Sequence, residues 1–306
     1  AYKVEQIPNL ITKLGEGPHW DIETQSLYFI DIYGGTVHRY DYNTSKLYTA
    51  KVDGEDVVSF IIPIEGQKNK FAIGIGRRIG IISWDGVANT TSVERVILEV
   101  ETEDKLKYNR FNDAKADPKG RFFGGTMRLE EKGDIFDARL GKFYSFVPGK
   151  PPKVLREHIG VSNGMAWNEA TNKMYYIDSC DIEVKEYDYN PETGDISNPR
   201  QFIDFRVNGE KPGFVPDGMT IDNKGYLYVA TFGGSAVLKV NPNTRAVEET
   251  INIPAEQVTS CAFGGPKMDV LFVTTASVGG KPEPAGATFI VTGLGVTGTK
   301  MHKLRV

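Results

Sequence analysis

Four short segments of this chain place an oxygen-bearing side chain just ahead of a strand-like run. They are Glu16-Gly17-Pro18-His19-Trp20-Asp21, Asn112-Asp113-Ala114-Lys115-Ala116-Asp117, Asn163-Gly164-Met165-Ala166-Trp167-Asn168 and Asp217-Gly218-Met219-Thr220-Ile221-Asp222. The leading residues are two carboxylates, Glu16 and Asp217, and two amides, Asn112 and Asn163. Gathered at one point they make a hard, all-oxygen donor set, which suits Ca²⁺, Mg²⁺ or Mn²⁺ with water completing the shell. Zinc usually recruits His or Cys, and neither recurs at this phase, although zinc accepts carboxylates. The expected cofactor is therefore one divalent cation (Ca, Mg, Mn or Zn), with calcium favoured by the donor type. A plainer reading stands beside it: Asn-Gly and Asp-Gly are strong hairpin signals, so Asn163-Gly164 and Asp217-Gly218 also fit turns.

Other chemistry is weaker. Gly160-Val161-Ser162-Asn163-Gly164 fits G-x-S-x-G, but that nucleophile elbow needs a strand-to-helix turn in a parallel sheet. No strand–helix alternation surrounds it here, and the four histidines (His19, His38, His158, His302) sit in unrelated contexts. His19, beside Trp20, reads as a packed imidazole or a channel base. Arg110, two residues before Asn112, reads as a carbonyl or anion clamp or as a surface ion pair.

Something must bring the four segments together. Each is followed by a polar turn and a β-branched or aromatic run, such as Ser26-Leu27-Tyr28-Phe29-Ile30-Asp31 or Tyr226-Leu227-Tyr228-Val229-Ala230-Thr231, and then by a third run of the same kind, which reads as strands and hairpins. Looser copies begin near Val58-Ser59-Phe60 and Thr259-Ser260-Cys261. Six units at a period of roughly 40–55 residues match β-propeller blades. The expected fold is all-β: a six-bladed β-propeller, a single domain over residues 1–306, with the metal site in its central channel. Residues 287–291 should complete the last blade, with the strand near residues 2–7 closing the ring. The stretches 99–107 and 128–139 read as insertions, short helices or a lid.

Bulk properties exclude several classes. A net charge of −4 and no Lys/Arg run argue against a nucleic-acid partner. No apolar stretch approaches the roughly 18 residues of a membrane span. The start lacks a signal-peptide pattern, and Ala1 fits either a removed Met or a cleaved signal. Cys180 and Cys261 read as buried thiols in a reducing, cytoplasmic setting, since one bridge would be no disulfide framework. Monomer is the expected state, because a closed propeller exposes few sheet edges.

At these residues the chain resembles the regucalcin (senescence marker protein)/gluconolactonase family, which also contains the insect luciferin-regenerating enzymes. Its most specific pieces are Leu14-Gly15-Glu16-Gly17-Pro18, Arg110-Phe111-Asn112-Asp113, Gly125-Thr126-Met127, Ser162-Asn163-Gly164, Tyr176-Ile177-Asp178-Ser179 and Pro216-Asp217-Gly218. Pro18-His19-Trp20, Ala262-Phe263-Gly264-Gly265-Pro266 and Val291-Thr292-Gly293-Leu294-Gly295-Val296 look nearest the insect branch. The resemblance implies Glu16, Asn163 and Asp217 as metal ligands, Asn112 close by, Arg110 on substrate oxygens and Asp217 as general base. Two departures alter the substrate edge. Arg128-Leu129 precede Glu130-Glu131, leaving Glu130 as the candidate for the family's acidic substrate contact, and Ala114 stands where the family often has Gly.

The leading expectation is thus a metal-dependent hydrolase acting on a lactone or similar ester-like small molecule. His19 is the fallback base, since a cation lowers the basicity of a carboxylate it binds. The alternatives are a luciferin-regenerating enzyme acting on oxyluciferin and a non-catalytic calcium-binding propeller.

Overall fold

The computed structural model describes residues 1–133 and 135–306, and nearly all of their regular structure is β. Strands form where β-branched and aromatic side chains fill both faces. Ser26–Asp31, Val58–Pro63 and Val270–Ala276 are buried along their whole length, as expected of strands covered on both sides. Polar side chains turn the chain between them. Asp117 Oδ1 accepts the amides of Lys119 (3.0 Å) and Arg121 (2.8 Å), and Asp222 Oδ1 accepts those of Lys224 and Tyr226. Asp21 Oδ2 accepts the Thr24 hydroxyl at 2.7 Å. These are Asx-type turns. The last residue of each recurring segment is therefore the turn residue, and the first is not.

The architecture is an all-β, propeller-like fold built of antiparallel meanders. Gly15–Asp21, Val58–Pro63, Asn109–Ala116 and Ser162–Asn168 each lead a separate sheet. The meanders led by Val215–Ile221 and Gln257–Gly264 are fused into one eight-stranded sheet through the single pair Phe232/Gln257. Lys3–Gln6 pairs with Phe289–Thr292 as expected, so the two ends of the chain share one meander.

Apolar clusters join each meander to its neighbours. Tyr28 and Ile30 pack with Ile61 and Ile73; Phe60 and Ile62 with Phe111 and Phe122; Phe123 and Phe143 with Trp167 and Tyr176. Tyr175 and Ile177 meet Met219 and Val229, and Tyr228 meets Cys261 and Phe263. The last cluster joins the first and final meanders through Trp20, Phe29 and Phe272, with Trp20 and Phe272 stacked at 5.5 Å. Such an aromatic pair adds about 0.5–1.5 kcal/mol beyond its buried area.

The two insertions carry the expected short helices: a 3₁₀ turn at Asp104–Leu106, another at Glu130–Lys132, and one helical turn at Ile135–Ala138. Residue 134, within the second insertion, lies outside the described residues. The C-terminal segment crosses beneath the leading strands, with bridges from Gly298 to Asp222, His302 to Ala116 and Leu304 to Ile64. Among the described residues no helix is long and apolar enough to cross a membrane.

Candidate metal and substrate site

Every leading strand carries the same defect. Pairing slips between Glu16 and His19, Val58 and Ile61, Phe111 and Ala114, Ser162 and Met165, Pro216 and Met219, and Val258 and Ser260. These are β-bulges, which insert an unpaired residue and re-aim side chains. At the matching position of each lie Glu16, Ser59, Asn112, Asn163, Asp217 and Thr259, all buried. The bulge thus gives physical form to the phase seen in the sequence. Ser59 and Thr259 extend it to two strands whose segments lack the Gly that marks three of the others.

The turn reading of Asn163-Gly164 and Asp217-Gly218 gives way here, because both dipeptides lie inside strands. Their glycines answer to crowding instead. A Cβ on Gly164 would lie 2.8 Å from Asp217 O, and one on Gly218 would lie 2.1 Å from Ser260 Oγ. Gly17 adopts φ +59°, a left-handed conformation that glycine takes without the Cβ clash.

Local hydrogen bonds then fix the path into each bulged strand. Asp31 accepts the backbone amides of Lys13 (2.9 Å) and Leu14 (3.0 Å) just before Glu16. Asp178 does the same for Gly160 (3.0 Å) and Val161 (2.9 Å) just before Asn163. In both strands the clamp begins three residues ahead of the oxygen donor.

Glu16, Asn163 and Asp217 come together at a cavity of about 560 Å³ that Arg110, Asn112 and Glu130 also line. Asn163 Nδ2 donates to Ser179 Oγ at 2.8 Å. That bond turns the amide oxygen away from Ser179, and Asn163 Oδ1 is left buried without a partner, as is Asp217 Oδ1. Buried polar atoms are rarely left so. Burial, then the Asp217 and Asp113 carboxylates, push Glu16 well above the usual carboxylate range. Burial also pushes Asp217 well above it, while a hydrogen bond with Glu16 acts the other way. Two orphaned oxygens and two carboxylates that resist joint ionisation fit a bound cation. Among the described residues no three His, Cys, Asp or Glu side chains cluster as a metal site. The oxygens present, from two carboxylates and one amide, are of the type that suits a hard cation.

Asn112 is placed differently. Its Nδ2 donates to Ser162 O at 2.7 Å, and its Oδ1 accepts from Arg110 Nη1 at 2.9 Å. With the Asn112 oxygen taken by Arg110, the expected set of four reduces to Glu16, Asn163 and Asp217. Arg110 is almost wholly buried, not a surface residue. Its Nη2 donates to Glu130 Oε1 at 3.0 Å, and Tyr33 OH donates to the same oxygen at 2.6 Å. Partial burial opposes ionisation of Glu130, yet Arg110 and Tyr33 hold it below the ordinary carboxylate value. Tyr33, Arg110 and Glu130 form one polar edge. The rest of the wall is mostly apolar: Leu14, Ile32, Met127, Val161, Val215 and Phe232.

The packed-imidazole reading of His19 and the rejection of Ser162 as a nucleophile both agree with the structure. His19 does not line this cavity; it lines a separate void of about 40 Å³ with Lys115. Burial drives its imidazole down to about 3, so the fallback base is misplaced and too weakly basic to draw a proton from water. Ser162 is fully buried in a strand and shares a 2.7 Å hydrogen bond with Tyr176 OH, which excludes it as an exposed elbow nucleophile. Ser179, Tyr33 and Lys115 join the site or its surroundings without a role assigned from sequence. Ser179 closes the piece Tyr176-Ile177-Asp178-Ser179 and Lys115 lies within a recurring segment, whereas Tyr33 has no local signal.

The family model for the SMP-30/Gluconolactonase/LRE-like region matches residues 14–277. The chain belongs to that family. Regucalcin from Danio rerio is 36% identical over 304 residues, covering 97% of both chains, and human regucalcin is 34% identical with the same coverage. A solved luciferin-regenerating enzyme superposes with TM-score 0.91 at 40% identity, covering 100% of each chain. The Agrobacterium tumefaciens structure described as a calcium-binding regucalcin gives 0.84 at 21% identity over 100% of this chain and 98% of that one, a likeness of fold alone.

Proposed function

We propose that this protein is a divalent-metal-dependent hydrolase of a lactone or similar ester-like small molecule, built as a single-domain, six-bladed propeller around its metal site. The observation that carries this is the pair of unpartnered buried oxygens, Asn163 Oδ1 and Asp217 Oδ1, beside Glu16 at the cavity. Glu16, Asn163 and Asp217 would hold the cation, which when bound supplies Lewis-acid polarisation of a carbonyl. The donor type favours calcium.

The remaining chemistry belongs to the chain. Asp217 takes the proton of the attacking water through its carboxylate. Arg110 is held by Asn112 and Glu130, so the guanidinium and amide form a rigid edge that orients the substrate. The apolar walls exclude water from the reacting bond.

Those walls also favour a second reading. A cavity lined by Leu14, Ile32, Met127 and Phe232 suits an apolar ring better than a polyhydroxylated sugar lactone. Oxyluciferin conversion, the activity suggested by the luciferin-regenerating relative, is thus a specialised form of the same site.

The test is hydrolysis of dihydrocoumarin and of gluconolactone by metal-stripped protein, with Ca²⁺, Mg²⁺, Mn²⁺ or Zn²⁺ restored singly. We expect one cation to restore turnover, faster on the aromatic lactone, and Asp217→Asn to abolish it in a folded protein. Full activity in Asp217→Asn removes it from the mechanism. Tight cation binding without turnover of either lactone shifts the assay to oxyluciferin.

A further inference from the structure

Below the oxygen ring lie two charged groups that the proposed chemistry does not use. Asp113 follows Asn112 at the bulge, is 4% exposed, and leaves Oδ2 without a hydrogen-bond partner. Lys115 lies further along the same strand, and its ammonium is buried between neighbouring meanders. It donates to Met165 O at 2.8 Å and to Met219 O at 2.6 Å. Both acceptors are neutral carbonyls, and among the described residues no carboxylate lies within ion-pair distance. Its positive charge is therefore neutralised by no direct contact there.

An uncompensated ammonium and a nearby uncompensated carboxylate in one low-dielectric channel act on each other and on anything else bound there. Asp113 adds repulsion to both Glu16 and Asp217, and Lys115 relieves Asp113. Arg110 also favours the charged form of Asp217 but is paired with Glu130, so these three carboxylates face one unpaired ammonium. We infer that Lys115 is the channel's own counter-cation, balancing Asp113 so that Glu16 and Asp217 carry charge for one divalent ion and no more. Its carbonyl contacts make it a positioning residue as well, tying the strand Asn109–Ala116 to Ser162–Asn168 and Val215–Ile221. The inference rests on the metal reading proposed above.

The test is isothermal titration of metal-stripped protein with Mn²⁺. Lys115→Gln keeps an N–H donor and loses the charge, so it should bind Mn²⁺ at least about tenfold more tightly or take up a second equivalent. Asp113→Asn, which leaves Lys115 unbalanced, should bind at least about tenfold more weakly. The double variant should return to within about threefold of wild type, and Lys115→Arg should stay there. If Lys115→Gln does not fold, the weakening in Asp113→Asn and its reversal in Asp113→Asn/Lys115→Ala carry the test. Single variants that both weaken binding, or a double variant as weak as Asp113→Asn, overturn the inference and leave the metal reading standing. Wild-type protein that takes up no cation refutes the metal reading and the inference with it.

Discussion

In chelator, replacing Glu16 by Gln should make this protein more stable, although Glu16 sits in its functional site. Glu16 is 4% exposed and its charged form has few partners: its Oε2 accepts the Gly17 amide at 3.0 Å, and the nearest charged groups, Asp217 and Asp113, repel it. Gln keeps the shape and the acceptor, and can donate to Asp217, while removing one buried charge. The penalty removed is that of a poorly satisfied buried polar group, about 1–3 kcal/mol. Melting entropy near 2.1 cal/mol/K per residue over 306 residues gives ~0.6 kcal/mol/K, so the melting point should rise by about 2–5 °C. The pH dependence follows from the raised carboxyl. Between its ordinary value near 4.5 and its higher folded value, the native state holds a proton that the unfolded chain has lost. Metal-free wild type should therefore lose stability as pH rises through that window, and Glu16→Gln should lose less. Scanning calorimetry in EDTA from pH 4 to 8 measures both. With saturating Ca²⁺ the order should invert, because the wild type then gains binding energy that the variant lacks. A variant melting at or below wild type throughout the EDTA series would refute the reasoning.

Ser179→Ala should free the Asn163 amide to flip and weaken cation affinity by about tenfold, in line with the loss of other supports of metal ligands; Ser179→Thr should recover most of it, and equal Ca²⁺ titration curves for Ala and wild type would sink the idea. Leu304 is fully buried beneath the ring, so Leu304→Ala should cost about 2–3 kcal/mol. That lowers the melting point by roughly 3–5 °C with kcat for the restored lactonase unchanged; a shift below about 1 °C would show the C-terminal segment to be loosely held.

The propeller-like pattern and the oxygen donors are legible in the sequence for one physical reason. A bulged strand that lines a channel needs a polar side chain at the bulge, and a small residue beside it where the next strand crowds in. Glu16-Gly17, Asn163-Gly164 and Asp217-Gly218 record both demands in adjacent letters. Where only one demand operates the signal fades: Ser59-Phe60 and Thr259-Ser260 occupy the same position without glycine, and neither stands out in the sequence as part of the site. Interactions across strands are harder still to read. Ser179 orients Asn163 from the next strand's end, and Tyr33 reaches Glu130 across 97 residues of chain. Neither spacing has a local cause.

The misreadings have the same origin. His19 shares a segment with Glu16, but three positions along a bulged strand carry it from that cavity to a separate void. Asn112 matches Asn163 in type and phase, yet Arg110 takes its oxygen, so residue type alone assigns four donors where the fold frees three. The same contact explains why Arg110 can be buried at all: a guanidinium with Phe111 O, Asn112 Oδ1 and Glu130 as acceptors has its charge met inside the protein. Lys13 is the other cation at the cavity wall. An anionic substrate would have to displace Glu130 to gain contact with Arg110, whereas a neutral apolar ester meets Leu14, Ile32 and Phe232 directly.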